Sequence, residues 1–403
     1  MQSVFDTLER RGYVEQLTHP EEIKKLFATE SVPFYIGIDP TADSLHVGHF
    51  ISLMVASHMQ RAGHKPIILM GGGTAAIGDP SGKTDMRNML TIEQLDSNVA
   101  KIKKQVERFV SFEGENAAII VNNADWLRNL NYIEFMRDIG VHFSVNRMLA
   151  ADCYKNRLET GLTFFEMGYM LMQSYDFLYL HDHYGCKLQM GGNDQWSNII
   201  GGVELIRKIG AEDSYGFTFK LLTTKDGVKM GKTVKGALWL DPEKTSPYEF
   251  YQYWRNVDDA DVENVMKMLT FIDAEEIEEM TKYRDERINE AKRIAAFEIT
   301  KLVHGEDAAK KAEEATKAMF EGNGDVNAMD STNVSVGLPI TEAIVLAGVA
   351  PSKGQAKTLI AQGAISLNDV KIDDIGYVLK EKDFKDGYAI LKKGKKVFHK
   401  LVK

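Results

Sequence analysis

Short apolar runs rich in β-forming residues alternate with helix-length segments through the first half of this 403-residue chain. The runs predict strands at 34–38, 66–70, 117–121, 186–190 and 217–222. Segments of helical length lie between them, for example at 45–62, 92–110 and 163–181. Parallel strands need long crossover connections, which helices commonly supply. The alternation therefore predicts an α/β fold with a doubly wound parallel sheet and helices on both faces.

The rest of the chain has a different composition, and its length predicts two or three domains. From about residue 247 the pattern becomes helical and charged, whereas 321–337 is rich in Gly, Asn, Asp and Ser. We predict an α/β domain (1–225), a loop and helical domain (226–320), a linker (321–337) and a small α+β domain (338–403).

Hydropathy and cysteine content limit where the chain is expected to work. No apolar run approaches the length that crosses a membrane, and the N-terminus does not resemble a signal peptide. Cys153 and Cys186 are too few for a disulfide framework or a zinc module. We therefore expect a soluble cytoplasmic protein.

Positive charge is concentrated at the C-terminus although the whole chain has a net charge of -9. Residues 334–403 contain 12 lysines and 7 acidic residues. Two short helices are predicted there, with Ser352 as the N-cap of the second, followed by a strand and a turn at Asn368-Asp369. Lys353 and Lys357 are four apart and share a helix face. This face either binds phosphate or is an ordinary solvated surface.

Polar or glycine-rich loops follow four of the predicted strands. They begin at Asp39, Gly71, Gly191 and Thr223. The carboxyl ends of parallel strands meet at one edge of a sheet, where ligands bind. We therefore expect these four loops to form one site.

The first loop contains His46 and His49, in the sequence "HVGH". Zinc requires three or four ligands, and none follows at suitable spacing, so a metal site is disfavoured. The second loop contains "GDPSGKT", which resembles a phosphate-binding loop. Gly78 and Gly82 are separated by three residues instead of four, and Pro80 lacks an amide donor. The match is therefore weak, although Lys83 and Arg87 remain candidates for phosphate contact.

The segment 163–181 is apolar nearly all round, which predicts a buried helix. Tyr169, Gln173 and Asp176 nevertheless form one polar stripe along it. Buried polar groups without partners are costly, so the stripe indicates either an internal hydrogen-bond network or a polar ligand. In "KMGKT" (229–233), two lysines and Thr233 offer mobile donors to an anion, although alone they could be an ordinary basic turn.

Taken together, these motifs resemble a known family. "HVGH" followed far downstream by "KMGKT" is similar to the paired signatures of the class I aminoacyl-tRNA synthetases. "GDPSGK", "YMLMQSYDF", "GGNDQW" and "WLDPEKTSPYEFYQYW" narrow the resemblance to the bacterial tyrosyl-tRNA synthetases, over nearly the whole chain. The C-terminal part resembles the alpha-L type RNA-binding module of a small-subunit ribosomal protein. Gly231 and Asn193 stand where serine is frequent, and neither change removes a group that the chemistry needs.

This resemblance implies a Rossmann-like catalytic domain and a two-step reaction. The carboxylate of L-tyrosine attacks the α-phosphate of ATP, giving tyrosyl-adenylate and pyrophosphate, and tyrosine is then transferred to the 3′ end of tRNA(Tyr). No side chain needs to act as a nucleophile, because catalysis consists of positioning and charge stabilisation. The resemblance also implies that Mg²⁺ accompanies the nucleotide and that the chain forms a homodimer.

The resemblance further implies a role for each matching residue. The residues expected to act on the phosphates and ribose during catalysis are Thr41, His46, His49, Lys83, Arg87, Lys229, Lys232 and Thr233. Those expected to bind tyrosine are Tyr35 and Asp176 at its hydroxyl, Asp79, Tyr169 and Gln173 at its amino group, and Gln195 near its carboxylate. Those expected to bind ATP or the adenylate are Gly37, Asp39, Gly192 and Asp194, with His46, His49 and Lys232. Lys353 and Lys357 are expected to contact tRNA, and no protein-built metal site is expected.

Two other functions fit parts of the sequence. One is a sister enzyme that activates a different aromatic amino acid, against which Tyr35 and Asp176 argue. The other is a non-catalytic RNA-binding protein with a degenerate synthetase core, against which the complete histidine and lysine signatures argue.

Overall fold

A computed structural model describes residues 3–81, 89–210, 213–233, 236–320, 331–394 and 397–403. Lys83 and Arg87 therefore lie outside the described residues, and Lys232 and Thr233 are described through their backbone. The chain forms two compact units. The first contains Met1–Lys229 and Asn264–Ile277, and the second contains Met230–Glu263 and Glu278–Lys403.

The elements follow one another along the chain as two sets. The strands are β1 (Val14–Leu17), β2 (Pro33–Ile38), β3 (Lys65–Met70), β4 (Ile119–Asn122), β5 (Leu188–Gly192), β6 (Tyr215–Phe219), β7 (Lys232–Thr233), β8 (Gly236–Ala237), β9 (Ser331–Asn333), β10 (Ile365–Leu367), β11 (Val370–Lys371), β12 (Tyr388–Lys393) and β13 (Val397–Val402). The helices are α1 (Val4–Arg10), α2 (Pro20–Thr29), α3 (Val47–Arg61), α4 (Ile92–Val106), α5 (Ala124–Leu127), α6 (Tyr132–Asp138), α7 (Val145–Leu149), α8 (Asp152–Thr160), α9 (Phe164–Tyr184), α10 (Trp196–Ile209), α11 (Pro247–Arg255), α12 (Val262–Leu269), α13 (Ala274–Thr281), α14 (Ile288–His304), α15 (Glu306–Phe320), α16 (Ile340–Leu346) and α17 (Lys353–Ala361).

A six-stranded sheet forms the centre of the first unit, with the order β1-β6-β5-β2-β3-β4. The five predicted strands are confirmed as β2 to β6, and they run parallel to one another. The edge strand β1 pairs antiparallel with β6 and was not predicted. The chain builds outwards from β2 to β4 and then continues on the other side of β2 with β5 and β6. The reversal of strand order between β2 and β5 is where such sheets bind ligands.

Helix α9 belongs to the first unit and contains the polar stripe. A reciprocal capping box between Thr163 and Glu166 starts it, and Gly185 ends it at a positive φ of 63°. Phe177 is fully buried, as predicted. The prediction of burial was wrong for the first turn, because Phe164 is 73% exposed and Phe165 is 40% exposed. The buried residues of the helix therefore lie between Glu166 and Leu180.

A late stretch of the chain returns to the first unit and is anchored there by Arg11. This side chain is 5% exposed, and its guanidinium donates to the carbonyl oxygens of Lys267 at 2.9 Å and Thr270 at 2.7 Å. The hydroxyl of the fully buried Tyr13 donates to the carbonyl of Met268. These bonds satisfy carbonyls at the end of α12, where a helix lacks partners of its own.

The C-terminal part of the second unit is a five-stranded sheet with the order β11-β10-β12-β13-β9. Ser352 caps α17 by accepting from the amide of Gln355, as predicted. Asn368 and Asp369 form the predicted turn between β10 and β11, at positive φ values of 48° and 66°. The predicted linker (321–337) differs from the structure at Ser331–Asn333, which pair in parallel with β13.

Helix lengths and apolarity bear on membrane insertion. Across the ranges that the structure describes, no helix is both long enough and apolar enough to cross a membrane.

Candidate active site

The two histidines of "HVGH" cap the N-terminus of α3. His46 Nδ1 accepts from the amide of Gly48 at 3.0 Å, and His49 Nδ1 accepts from the amide of His46 at 3.3 Å. A neutral ring that accepts at Nδ1 carries its proton on Nε2 and can donate there. A Cβ on Gly48 would lie 2.8 Å from Cε1 of His46, so glycine leaves room for this ring. Capping thus fixes both donors beside a helix N-terminus, which favours anions.

Asp39 follows β2 and contacts the glycine-rich loop after β3. Its Oδ1 accepts from the hydroxyl of Thr74 at 2.9 Å, and its Oδ2 accepts from the hydroxyl of Tyr169 at 3.0 Å. A Cβ on Gly71 would lie 2.0 Å from Asp39 Oδ1, so no other residue fits there without displacing the carboxylate. The network joins the end of β2, the next loop and the polar stripe of α9.

The buried carboxylate of Asp176 is held by two residues that the sequence did not single out. Asn123 Nδ2 donates to Oδ2 and Trp126 Nε1 donates to Oδ1, both at 2.8 Å. Asn123 also donates to the hydroxyl of Thr74 at 3.0 Å and accepts from the amide of Gly73 at 2.7 Å. The network around Asp39 therefore continues to Asp176, and Asn123 joins its two halves.

Burial dominates the protonation of Asp176. It raises the pKa of this carboxyl to about 8, although the hydrogen bonds from Asn123 and Trp126 act in the opposite direction. Burial, and then the nearby carboxyl of Asp176, hold the pKa of Tyr35 well above its usual value. Both side chains are at most 1% exposed. Near neutral pH the pair is thus a neutral phenol beside a carboxyl that keeps its proton to an unusually high pH.

Three buried polar atoms near this pair have no hydrogen-bond partner among the described residues. They are the hydroxyl of Tyr35 and the Oε1 atoms of Gln173 and Gln189. Gln189 lies directly beside Tyr35 in the register of β5 and β2, and no sequence feature distinguishes it from the rest of its apolar strand. Leaving such atoms unsatisfied costs roughly 1–3 kcal/mol each. A polar ligand would remove that cost.

A second network surrounds Asp79, which is buried. Its Oδ2 accepts from Gln195 Nε2 at 2.7 Å and its Oδ1 accepts from the amide of Ser81 at 2.9 Å. Asn198 Nδ2 donates to Gln195 Oε1 at 3.1 Å and to the Ser81 hydroxyl at 3.2 Å. This contact brings together Asp79 and Gln195, two of the residues expected to bind tyrosine, and Asn198 is an added member.

The edge of the sheet near β5 is open and charged. A Cβ on Gly192 would lie 2.8 Å from Asp194 Oδ1. The ammonium of Lys229 lies 3.9 Å from Asp194 Oδ2, and its side chain is 60% exposed. Gly37 is the exposed position of β2, so the strand backbone is accessible there. These positions leave space for a ligand along the carboxyl edge.

Four further predicted residues belong to the second unit. Lys232 and Thr233 form a short strand in the second unit, paired with Gly236–Ala237. Lys353 and Lys357 begin α17, also in the second unit. Within the described ranges, no cluster of three or more His, Cys, Asp or Glu side chains could hold a metal ion.

The arrangement suits a small zwitterion with a hydroxyl at its far end. Asp176 and Tyr35 offer polar atoms in the buried interior of the first unit, and Asp79, Tyr169 and Gln173 offer oxygen acceptors along the polar stripe and beside it. The N-terminus of α3 adds donors for an anion. Among the described residues, no side chain is placed as a nucleophile with an adjacent base, and the polar groups present can bind and orient a ligand.

Comparison with known proteins gives two family matches. The family described as "tRNA synthetases class I (W and Y)" matches residues 28–321. The family described as "Tyrosine--tRNA ligase SYY-like C-terminal domain" matches residues 321–401. The two matches together cover nearly the whole chain.

Individual relatives agree with these matches. The chain is 57% identical over 403 residues to the tyrosine–tRNA ligase of Caldanaerobacter subterraneus, with 99% of each chain covered. It is 56% identical over 405 residues to that of Clostridium perfringens, with 100% of each covered. Among solved structures, a C-terminally truncated mitochondrial tyrosyl-tRNA synthetase from Aspergillus nidulans matches with a TM-score of 0.70 and 29% identity. That match covers 78% of this chain and 93% of the other.

The raised pKa of Asp176 predicts a pH-dependent stability. An aspartic acid has an ordinary pKa of 3.8, so between about pH 4 and pH 8 the folded chain keeps a proton that the unfolded chain loses. The contribution of this group is complete below about pH 4 and is lost as the pH rises through about 8. Asp176→Asn has no such proton. In calorimetric scans without ligand, we expect the Tm of Asp176→Asn to rise relative to the Tm of the wild type as the pH is raised.

The control for this measurement is Asp182→Asn, on the same helix, because the Asp182 side chain is 55% exposed. Its Tm should follow that of the wild type with pH. A constant difference between the wild type and Asp176→Asn across the range would contradict the assigned protonation.

Proposed function

Because the chain belongs to the class I tRNA synthetases for tryptophan and tyrosine, and its full-length relatives are tyrosine–tRNA ligases, we propose a binding mode for the reaction of that family. The function is activation of L-tyrosine with ATP, followed by transfer of tyrosine to tRNA(Tyr). The observation that carries the proposed mode is the buried pair of Asp176 and Tyr35, with the unsatisfied polar atoms of Tyr35, Gln173 and Gln189.

The substrate hydroxyl binds between Tyr35 and Asp176. Each oxygen of Asp176 already accepts one hydrogen bond. In the protonated carboxyl one oxygen also carries the proton, so the other oxygen, with its second lone pair, keeps an acceptor position. The substrate hydroxyl donates to this position and accepts from the hydroxyl of Tyr35. Phenylalanine cannot make either bond and would leave the Tyr35 hydroxyl and this acceptor position buried without a partner.

The substrate ammonium has three donors, and three acceptors stand along the stripe and beside it. They are the carboxylate of Asp79, the hydroxyl oxygen of Tyr169, whose proton is donated to Asp39, and the unpaired Oε1 of Gln173. Gln195, held by Asp79 and Asn198, lies toward the substrate carboxylate. This arrangement fixes the carboxylate for attack on the α-phosphate.

ATP binds along the carboxyl edge of the sheet, with its phosphates at the N-terminus of α3. His46 donates from Nε2 to the triphosphate and His49 donates toward the ribose. Gly37, Asp39, Gly192 and Asp194 line the side of the adenosine and of the adenylate. The further groups that stabilise negative charge on the phosphates are Thr41, Lys83, Arg87, Lys229, Lys232 and Thr233. Mg²⁺ accompanies the nucleotide, because it retains water and binds substrate phosphates more readily than all-protein sites.

The C-terminal sheet domain binds tRNA through its lysines. Lys357 is exposed on α17, and Lys353, on the same face, forms an ion pair of 2.5 Å with Glu342. Phosphate must compete with Glu342 for Lys353, so Lys357 is the stronger contact. We place the reaction in the cytoplasm, where Cys153 and Cys186, both free and buried, remain reduced.

A second copy of the chain covers an apolar surface of the first unit. Consecutive elements from α6 to the start of α9 expose large apolar side chains, a pattern that marks interaction sites. These side chains are Tyr132, Ile133, Val141, Val145, Leu158, Phe164 and Phe165. A symmetric homodimer is the commonest way to bury such a surface.

Amino-acid dependent exchange of pyrophosphate into ATP tests the activation step. Exchange should require tyrosine and proceed without tRNA. Tyr35→Phe should narrow the ratio of kcat/KM for tyrosine over that for phenylalanine, because the buried group that phenylalanine leaves unpaired is gone. Tyr283→Phe removes an exposed hydroxyl of the second unit and is the matched control. An unchanged ratio in Tyr35→Phe would refute the proposed contact.

Removal of the C-terminal domain should separate the two steps. A chain ending near Asp330 should still make tyrosyl-adenylate but charge tRNA poorly. In the full chain, Lys357→Ala should lower tRNA affinity more than Lys353→Ala, and should reduce the slope of log affinity against log salt by about 1. Filter binding across a salt series measures the tRNA affinity and the slope. Equal charging by the shortened and intact chains would show that the domain is a folded appendage.

The oligomeric state tests the apolar surface. Sedimentation equilibrium should give a dimer for the wild type and a monomer for Phe164→Asp, because a charge cannot be buried at the centre of an apolar interface without a partner. Leu346→Asp places a charge at another exposed apolar position, in the second unit, and should remain dimeric. A dimeric Phe164→Asp would exclude this surface.

A further inference from the structure

Three aromatic rings form a stack beside the buried carboxyl of Asp176. The indole of Trp126 lies parallel to the ring of Tyr179, with centroids 4.2 Å apart and an interplanar angle of 14°. Tyr179 in turn stacks on His183, at 3.9 Å and 15°. His183 is exposed, Tyr179 is half-buried and Trp126 is buried, so the stack runs from the surface inwards.

The inner ring of this stack makes a directional bond to Asp176. An indole N–H lies in the plane of its ring, so the orientation of the plane determines where the proton points. Trp126 Nε1 donates to Asp176 Oδ1 at 2.8 Å. Tyr179 is three residues after Asp176 on α9, so the two side chains share one helix face. A ring fixed flat against Tyr179 therefore aims its N–H at the carboxyl one turn earlier.

We propose that Tyr179 is a positioning residue for amino-acid selection, acting through Trp126 on Asp176. Without a flat partner at position 179, the indole can tilt, and Asp176 loses one of the two donors that fix its oxygens. The carboxyl then turns more freely and no longer holds a fixed position for the substrate hydroxyl, which weakens discrimination against phenylalanine. This inference rests on the proposed binding of the substrate hydroxyl to Asp176.

The neighbouring Tyr175 shows why packing alone is not the expected role of Tyr179. Tyr175 belongs to the same group of partly buried aromatic residues, but its ring is tilted by 58° from that of Tyr179, at 6.4 Å. Its edge-to-face partner is Phe135, at 5.5 Å. Loss of either ring removes buried aromatic area, whereas only loss of Tyr179 removes the flat surface under Trp126.

The experiment measures the ratio of kcat/KM for tyrosine over that for phenylalanine in pyrophosphate exchange, together with Tm. Tyr179→Leu should lower the ratio by about two- to tenfold, the range expected from loss of one aromatic pair. Tyr179→Phe keeps the ring and should retain the wild-type ratio. Tyr175→Leu should lower Tm while the ratio stays unchanged. Tyr179→Met is made in parallel, since its flexible side chain fills the site with little strain.

A double-mutant cycle with Trp126→Phe identifies the route of the effect. Trp126→Phe removes the N–H and should itself lower the ratio. Tyr179→Leu should add little in that background, because the bond through which it acts is absent. An undiminished further loss in the double variant, or an unchanged ratio in Tyr179→Leu, would overturn the inference. Asp176→Asn separates this outcome from failure of the proposed binding mode. If the ratio is unchanged there, the binding mode itself fails.

Discussion

The first unit is organised around a buried carboxyl group that has neutral hydrogen-bond partners among the described residues. Asp176 is 1% exposed, and its partners are the neutral donors of Asn123 and Trp126. These donors lower its pKa but do not outweigh burial. A buried acid in this state is costly in the empty site and becomes well satisfied when a hydroxyl enters. In the proposed binding mode, the same residue that weakens the unliganded fold also selects the substrate, a compromise expected at binding sites.

The first unit contains two hydrogen-bond networks, and one of them includes this carboxyl. One runs from Asp39 through Thr74 and Asn123 to Asp176, and the other joins Asp79 to Gln195 and Asn198. Glycines allow the close approaches within them, most clearly at Gly71, where a side chain would collide with Asp39. The hydrogen bonds by which the rings of His46 and His49 cap α3 also fix the orientation of both rings.

The sequence predicted the fold well because its signals were local. Alternating runs located β2 to β6, and turn and cap residues located Asn368-Asp369 and Ser352. Strand β1 was missed because four partly exposed residues carry little pattern. Asn123, Trp126 and Gln189 were missed for a different reason. Their importance depends on what tertiary folding places beside them, and in the sequence they look like a strand end, a helix residue and a strand residue. The exposure of Phe164 and Phe165 was likewise invisible, since an apolar face looks the same whether it meets a core or another subunit.

The return of residues 264–277 to the first unit has a consequence for the order of synthesis. A nascent chain folds from its N-terminus as it leaves the ribosome, domain by domain. Here Arg11 emerges early, but its carbonyl partners at Lys267 and Thr270 emerge roughly 250 residues later. At about 5–20 residues per second, the first unit waits on the order of ten seconds or more for its final segment. During that interval the guanidinium of Arg11 lacks its acceptors. The first helix of the second unit, α11, is made before the interval ends. The two units are therefore completed in an interleaved order, although each is compact once formed.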